Sequence, residues 1–244
     1  MRLTFIRQKY VNIKEKNMKY LKMMALGIAA LAATMSLQSC LDDDDDENNA
    51  LYYPNAVVTL KPQPSGLLLQ LDDSTTLWAV NMKQSPYGSK ELRAFVNYRE
   101  PKESEQVPQQ GTAKNVFVNW IDTIRTKPMA ADMGAQNAAT YGTDPVEIVR
   151  DWATVVEDGY LTIRFRTYFG NGSTHVLNLV RGSSPYEVVL YHDAKGDTGG
   201  RTGDGMIAFR LNDLPDTHGQ TVDLTLKWES FSGPKSATFK YRSR

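Results

Sequence analysis

From residue 51 onward, apolar and polar side chains alternate with period two in short runs broken by turn residues, the signature of half-buried β-strands rather than helices. The alternation is most regular in the C-terminal half. Over residues 160–168, Leu161, Ile163 and Phe165 point one way, while Thr162, Arg164 and Arg166 point the other. Val222, Leu224, Leu226 and Trp228 likewise oppose Asp223, Thr225, Lys227 and Glu229, and Ala237, Phe239 and Tyr241 oppose Thr238, Lys240 and Arg242. One core face and one wet face per strand predict an antiparallel β-sandwich. Asp158-Gly159, Gly170-Asn171-Gly172 and Ser232-Gly233-Pro234 supply its hairpin turns. In the N-terminal half, strands are predicted at 56–60, 67–71, 76–81, 91–98 and 116–126, and five strands joined by Gly-rich or polar turns suit a small barrel. A polar stretch rich in Glu, Gln and Pro, 100–115, connects the last two. The predicted fold class is therefore all-β, a small barrel followed by a sandwich.

Residues 127–143 turn to Pro, Ala, Gly, Asn and Met without a sustained period, which marks a boundary between the two bodies. After it, Asp144 as a cap and Pro145 at the first helical position predict a helical turn. The organisation expected is a signal segment at 1–39, a tether at 40–50, a barrel domain at 51–128, a linker at 129–143 and a sandwich at 144–244.

The chain of 244 residues is 41% hydrophobic and 23% charged, enough to bury a core without help. Its formal charge of zero conceals two regions. Seven Lys and Arg and one acid precede Cys40, leaving 21 bases against 27 acids after it; six of those acids are residues 42–47, so the remainder balances. With no basic surplus to hold a phosphate backbone, nucleic-acid binding is not expected.

The first forty residues explain the early charge. Residues 18–24 form a cationic start and 25–36 a mostly apolar, Ala-rich run of signal-peptide length, too short to span a bilayer. Export does not need the polar, lysine-rich residues 1–17, so translation is expected to start at Met18. Leu37, Gln38 and Ser39 before Cys40 resemble the lipobox cut by lipoprotein signal peptidase: the thiol accepts the diacylglyceryl group, and a small preceding residue gives the peptidase access. Cys40 is the chain's one cysteine, so no internal disulfide can form. Asp42, Asp43, Asp44, Asp45 and Asp46 repel one another and predict a solvated, extended tether. This run also resembles the surface-export signal of Bacteroidota lipoproteins, which implies an outer-membrane anchor by lipid and display on the cell surface.

Candidate chemistry is sparse. Catalysis would need a base, a nucleophile or a metal in mutual reach. His175, His192 and His218 lie at no zinc-pair spacing, and no Gly-x-Ser-x-Gly elbow is present. Asp193, Asp197 and Asp204 occupy positions one, five and twelve of a calcium loop, but Lys195 stands where the third ligand belongs and Thr198 where glycine is needed. Residues 192–205 are expected to be a glycine-rich connection between strands. Asp72 beside Asp73, and Asp213 with Asp216, read as turn groups rather than a glycosidase pair. Trp78, Phe95, Tyr98, Phe117 and Trp120 are expected to serve mostly the barrel core. Arg164, Arg166 and Tyr168 line an outer sandwich face and are the candidate ligand-facing residues. No metal, no cofactor and no catalytic residue is expected, and the oligomeric state is left open.

A resemblance covers nearly all of the chain after residue 51. Residues 53–59, 71–77 and 118–128, then 157–162, Gly203-Asp204-Gly205, Leu211-Asn212-Asp213-Leu214-Pro215-Asp216 and Leu226-Lys227-Trp228, are similar to the NigD-like lipoproteins of Bacteroidota. The resemblance implies an N-terminal OB-type barrel and a C-terminal β-sandwich, and it implies no reaction. The family's association with a bacteriocin locus implies an immunity-type role as one alternative. The expectation is a non-catalytic, lipid-anchored module for binding, adhesion or assembly with a glycan or protein ligand; a glycan-acting enzyme is the other alternative.

Overall fold

The computed structural model describes residues 51–244. The signal segment, Leu37, Gln38, Ser39, Cys40 and Asp42 to Asp46 lie outside the described residues. The chain is all-β. Five strands close a barrel: β1 (Ala56–Gln63), β2 (Gly66–Gln70), β3 (Thr76–Ala79), β4 (Leu92–Arg99) and β5 (Lys114–Thr123). Their order around it is β1-β2-β3-β5-β4, antiparallel except where β3 meets β5. Alternate residues fill it, Val58, Leu60, Leu67, Leu69, Leu77, Val96, Val116 and Val118 among them. At the tight β1–β2 turn a side chain at Gly66 would sit 2.6 Å from the Trp78 ring, so glycine lets Trp78 cover the turn.

The strand pattern over 116–126 divides in the structure. Ile124 donates its N–H to the Arg93 carbonyl (2.9 Å) and is buried between the two bodies, and β6 (Arg125–Pro128) then pairs in parallel with β12 (Arg201–Arg210) of the sandwich. The chain passes from barrel to sandwich within one residue. Residues 129–143 hold a 3-10 turn (Gly134–Gln136) and a single-turn helix, α1 (Asn137–Tyr141). The helical turn expected after Asp144 is not formed: Val146 and Ile148 are buried on alternate positions, and β7 (Glu147–Val149) joins a sheet instead. Core burial at period two overrides a local capping signal.

The sandwich packs two sheets. One has the order β6-β12-β9-β7, with β9 (Tyr160–Phe169) also carrying β8 (Val155–Glu157). The other runs β10 (Val176–Arg181), β11 (Glu187–Asp193), β13 (Val222–Ser230), β14 (Gly233–Tyr241). Pairing is antiparallel apart from β11–β13 and β12–β6. Leu161, Ile163, Phe209, Leu179, Leu224 and Leu226 form the core between them. Residues 201–205, expected in a glycine-rich connection, are the first half of β12: Gly205 lies opposite Phe165, and the absent side chain leaves room for that ring.

Candidate functional site

Arg164 and Arg166 do come together on the outer face of β9, and both close on one carboxylate. Asp204 accepts from Arg164 Nε (2.9 Å) and from Arg166 Nε (2.6 Å), while Arg164 also donates to Asp151 (2.5 Å). Hydrogen bonds from Arg166 and Arg164 hold the Asp204 carboxyl below its ordinary value. The two arginines and the two aspartates of this cluster balance one another in charge. Tyr168 stands apart from that network, edge-on to Phe231 at 5.1 Å.

The three aspartates of the calcium spacing do not converge. Asp193 pairs with Lys195 (2.5 Å), Asp204 with the arginines, and buried Asp197 accepts from the backbone N–H groups of Gly170 (2.8 Å) and Asn171 (3.0 Å). Among the described residues no group of three His, Cys, Asp or Glu is arranged to hold a metal ion. Asp72 caps its own turn, accepting from Ser74 N and Thr75 N, and Asp216 accepts from His218 N and Ser243 Oγ. His175 and His192 are partners, with 2.8 Å between Nδ1 of the first and Nε2 of the second. Their separation in sequence hides this, because the contact comes from the β10–β11 register that sets Leu177 opposite His192.

A concavity lies on the other sheet. β11 and β13 run parallel as far as Leu190 opposite Trp228. Beyond that point the segment before β7 bridges them: Asp144 donates its N–H to the His192 carbonyl (2.9 Å), and Val146 to that of Glu229 (3.0 Å). The Asp144 carboxylate in turn accepts from Ala194 N (2.8 Å). Gly142 begins this bridge at φ 84°, where a Cβ would stand 2.6 Å from the His192 carbonyl oxygen, so both conformation and space require glycine. Beside the bridge is a cleft of about 670 Å³, within the usual range for small-molecule sites.

Val189, Tyr191 and Pro234 give the cleft its apolar lining; Thr143, Lys227, Glu229, Lys235 and Ser236 give it polar groups. Both lysines are already paired, Lys227 with Glu187 (2.7 Å) and Lys235 with Glu147 (2.8 Å). Glu229 has no side-chain partner among the described residues. Trp228, between Lys227 and Glu229 in sequence, turns its side chain the other way into the sandwich core. Sequence patterning identified the wet face of β13 but gave no hint of the cleft, which depends on a bridge between residues about fifty to ninety positions apart. Among the described residues, no helix is long and apolar enough to cross a membrane.

Comparison with known proteins agrees with both halves. Residues 57–124 match the NigD-like N-terminal OB domain, and residues 128–241 the NigD-like C-terminal beta sandwich domain. A solved structure from Parabacteroides distasonis, described as a toxin-related protein, is 34% identical with a TM-score of 0.63, covering 77% of this chain and 92% of its own. A protein of unknown function from Bacteroides vulgatus is 23% identical with a TM-score of 0.61, covering 76% and 89%. A NigD-like immunity protein from Bacteroides caccae is 20% identical with a TM-score of 0.54, covering 77% and 96%. No curated protein matches the chain.

Proposed function

Because this chain belongs to the NigD-like family, with an OB barrel followed by a β-sandwich, we propose that it is a lipid-anchored, surface-displayed protein of the outer membrane that works by binding rather than catalysis. The observation that carries the reading is the order Leu37-Gln38-Ser39-Cys40 behind an apolar run and ahead of Asp42 to Asp46. One thiol at that position serves lipidation, and the acids make a solvated spacer between lipid and folded body. The cleft supports binding without turnover. Glu229 is its carboxylate without a partner among the described residues; the other carboxyl of the lining, Asp144, is engaged by Ala194 N (2.8 Å) rather than set opposite Glu229 as a free pair for glycoside hydrolysis. His192, a residue of the lining, has both ring nitrogens engaged.

Replacing Cys40 by Ala is expected to abolish incorporation of labelled palmitate and move the protein from the membrane to the soluble fraction, with both β-bodies folded. Retention of the Cys40→Ala variant in membranes would overturn the anchor. Protease shaving of intact cells tests display, and full protection of the mature protein is the result against it.

An immunity-type role is the second reading, favoured by the toxin-related description of the 34% identical structure. It expects deletion of the gene to sensitise cells to a bacteriocin challenge; unchanged survival favours the binding reading.

A further inference from the structure

We propose that the cleft between β11, β13 and β14 is a binding site for an uncharged saccharide. The inference deepens the binding reading above and rests on it. A sugar ring is amphipathic, with apolar C–H faces and a rim of hydroxyls that both donate and accept. The cleft presents the same two characters side by side. Val189 and Tyr191 project outward from β11 on the positions between buried Val188, Leu190 and His192, so their side chains face solvent rather than the core. Tyr191 packs at a tilt against Tyr141, ring centroids 6.0 Å apart, which fixes its ring as a wall.

The polar complement points to a neutral ligand. Lys227 and Lys235 are already paired with Glu187 and Glu147, so among the described residues the cleft holds no unpaired cation for a phosphate or carboxylate. Glu229 offers an uncommitted acceptor, suited to sugar hydroxyls and unfavourable to anions. A purely apolar ligand would leave Glu229 unpaired. A peptide cannot add as a strand to β11 or β13, because β11 is already paired to β10 and β13, and β13 to β11 and β14.

The test is calorimetric titration of the detergent-solubilised mature lipoprotein with maltohexaose, cellohexaose, xylohexaose and a mannan-derived pentasaccharide, with an oligogalacturonide as the anionic control. At least one neutral oligosaccharide is expected to bind saturably. Loss of a charge-assisted hydrogen bond in Glu229→Gln should weaken it by about tenfold or more. Ser236→Arg, which fills the cleft from an exposed position, should abolish it, and Lys114→Ala on the barrel surface should leave it unchanged. Absence of binding to all four neutral sugars, tighter binding of the anionic control, or binding that survives Ser236→Arg overturns the assignment and leaves the lipid-anchored reading standing. Release of new reducing ends by a bound sugar supports the site and overturns the non-catalytic reading instead.

Discussion

His192 holds its Nδ1 toward the carbonyl oxygens of Asp144 (3.2 Å) and Pro145 (3.3 Å), which can only accept. That nitrogen therefore carries the proton, Nε2 is the acceptor, and His175 donates to it from Nδ1 across 2.8 Å. The rings stack at 19°, and the other nitrogen of His175 faces Asp197 at 3.6 Å. Burial, then the neighbouring His175, pushes the His192 imidazole below its ordinary value. Burial works against the Asp197 charge, yet N–H bonds from Asn171 and Gly170 still hold its carboxyl below the usual range. Both shifts have one sign. A depressed folded value means that the unfolded chain takes up protons first, so the stability is present at neutral pH and lost as pH falls. For His192 the loss begins near the unfolded histidine value of about 6.5. Urea unfolding followed by fluorescence should show the midpoint falling between about pH 7.5 and 5.5, with His192→Gln removing most of that slope. An equal slope in the variant would show that another group carries it. Sequence spacing could not reveal this pair: a residue's own alternation predicts its face, whereas a cross-strand neighbour requires the register.

Among the elements, β9 and β12 show how much a strand depends on its partner. The alternation of Leu161, Ile163 and Phe165 was legible in the sequence, and the outward set Arg164, Arg166 was equally so. What the glycines of β12 were for was not. They read as a flexible connection because glycine disfavours strands in isolation. In the sheet Gly205 makes room for the Phe165 ring and Gly203 for Phe169, so the absent side chains are a packing requirement. A methyl at Gly205 would stand 2.4 Å from Phe165 Cζ, and Phe165 is buried in the sandwich core. Gly205→Ala is expected to destabilise by about 1–3 kcal/mol through overpacking. The same change at Gly199, where nothing lies within 4 Å, should stay within about 0.5 kcal/mol of the parent. Thermal unfolding of the two variants side by side checks this, and equal effects would show that backbone entropy, rather than the ring, sets the cost.

At the scale of the whole molecule, barrel and sandwich are fused through a charged and apolar seam that composition alone does not announce. Val57 of the barrel packs with Ile124, Ala153 and Ala208, and beside them Arg93 is fully buried. Its guanidinium donates to Thr59 of the barrel (3.0 Å) and to Thr162 (3.1 Å) and Glu157 (3.2 Å) of the sandwich, satisfying both bodies at once. Tyr160 lies alongside, donating to Glu91 (2.6 Å), while Arg244 reaches Asp158 (2.7 Å) and Glu91 (2.5 Å). Burial pushes Arg93 down and Glu157 up from their ordinary values, so isolation from water opposes both charges even though they meet. Arginine nevertheless stays charged, and the hydrogen bonds offset its desolvation. Removing that group would strand Glu157 and leave a cavity across the seam. Arg93→Ala should therefore cost about 3–5 kcal/mol, whereas Arg93→Met, which keeps the buried stem and drops the charge, should cost clearly less. Since the seam is shared, the parent protein should unfold in one calorimetric transition, and Arg93→Ala should lower it or split it into separate barrel and sandwich steps. Two well-separated transitions in the parent would mean that the bodies fold independently and that Arg93 stabilises only its own.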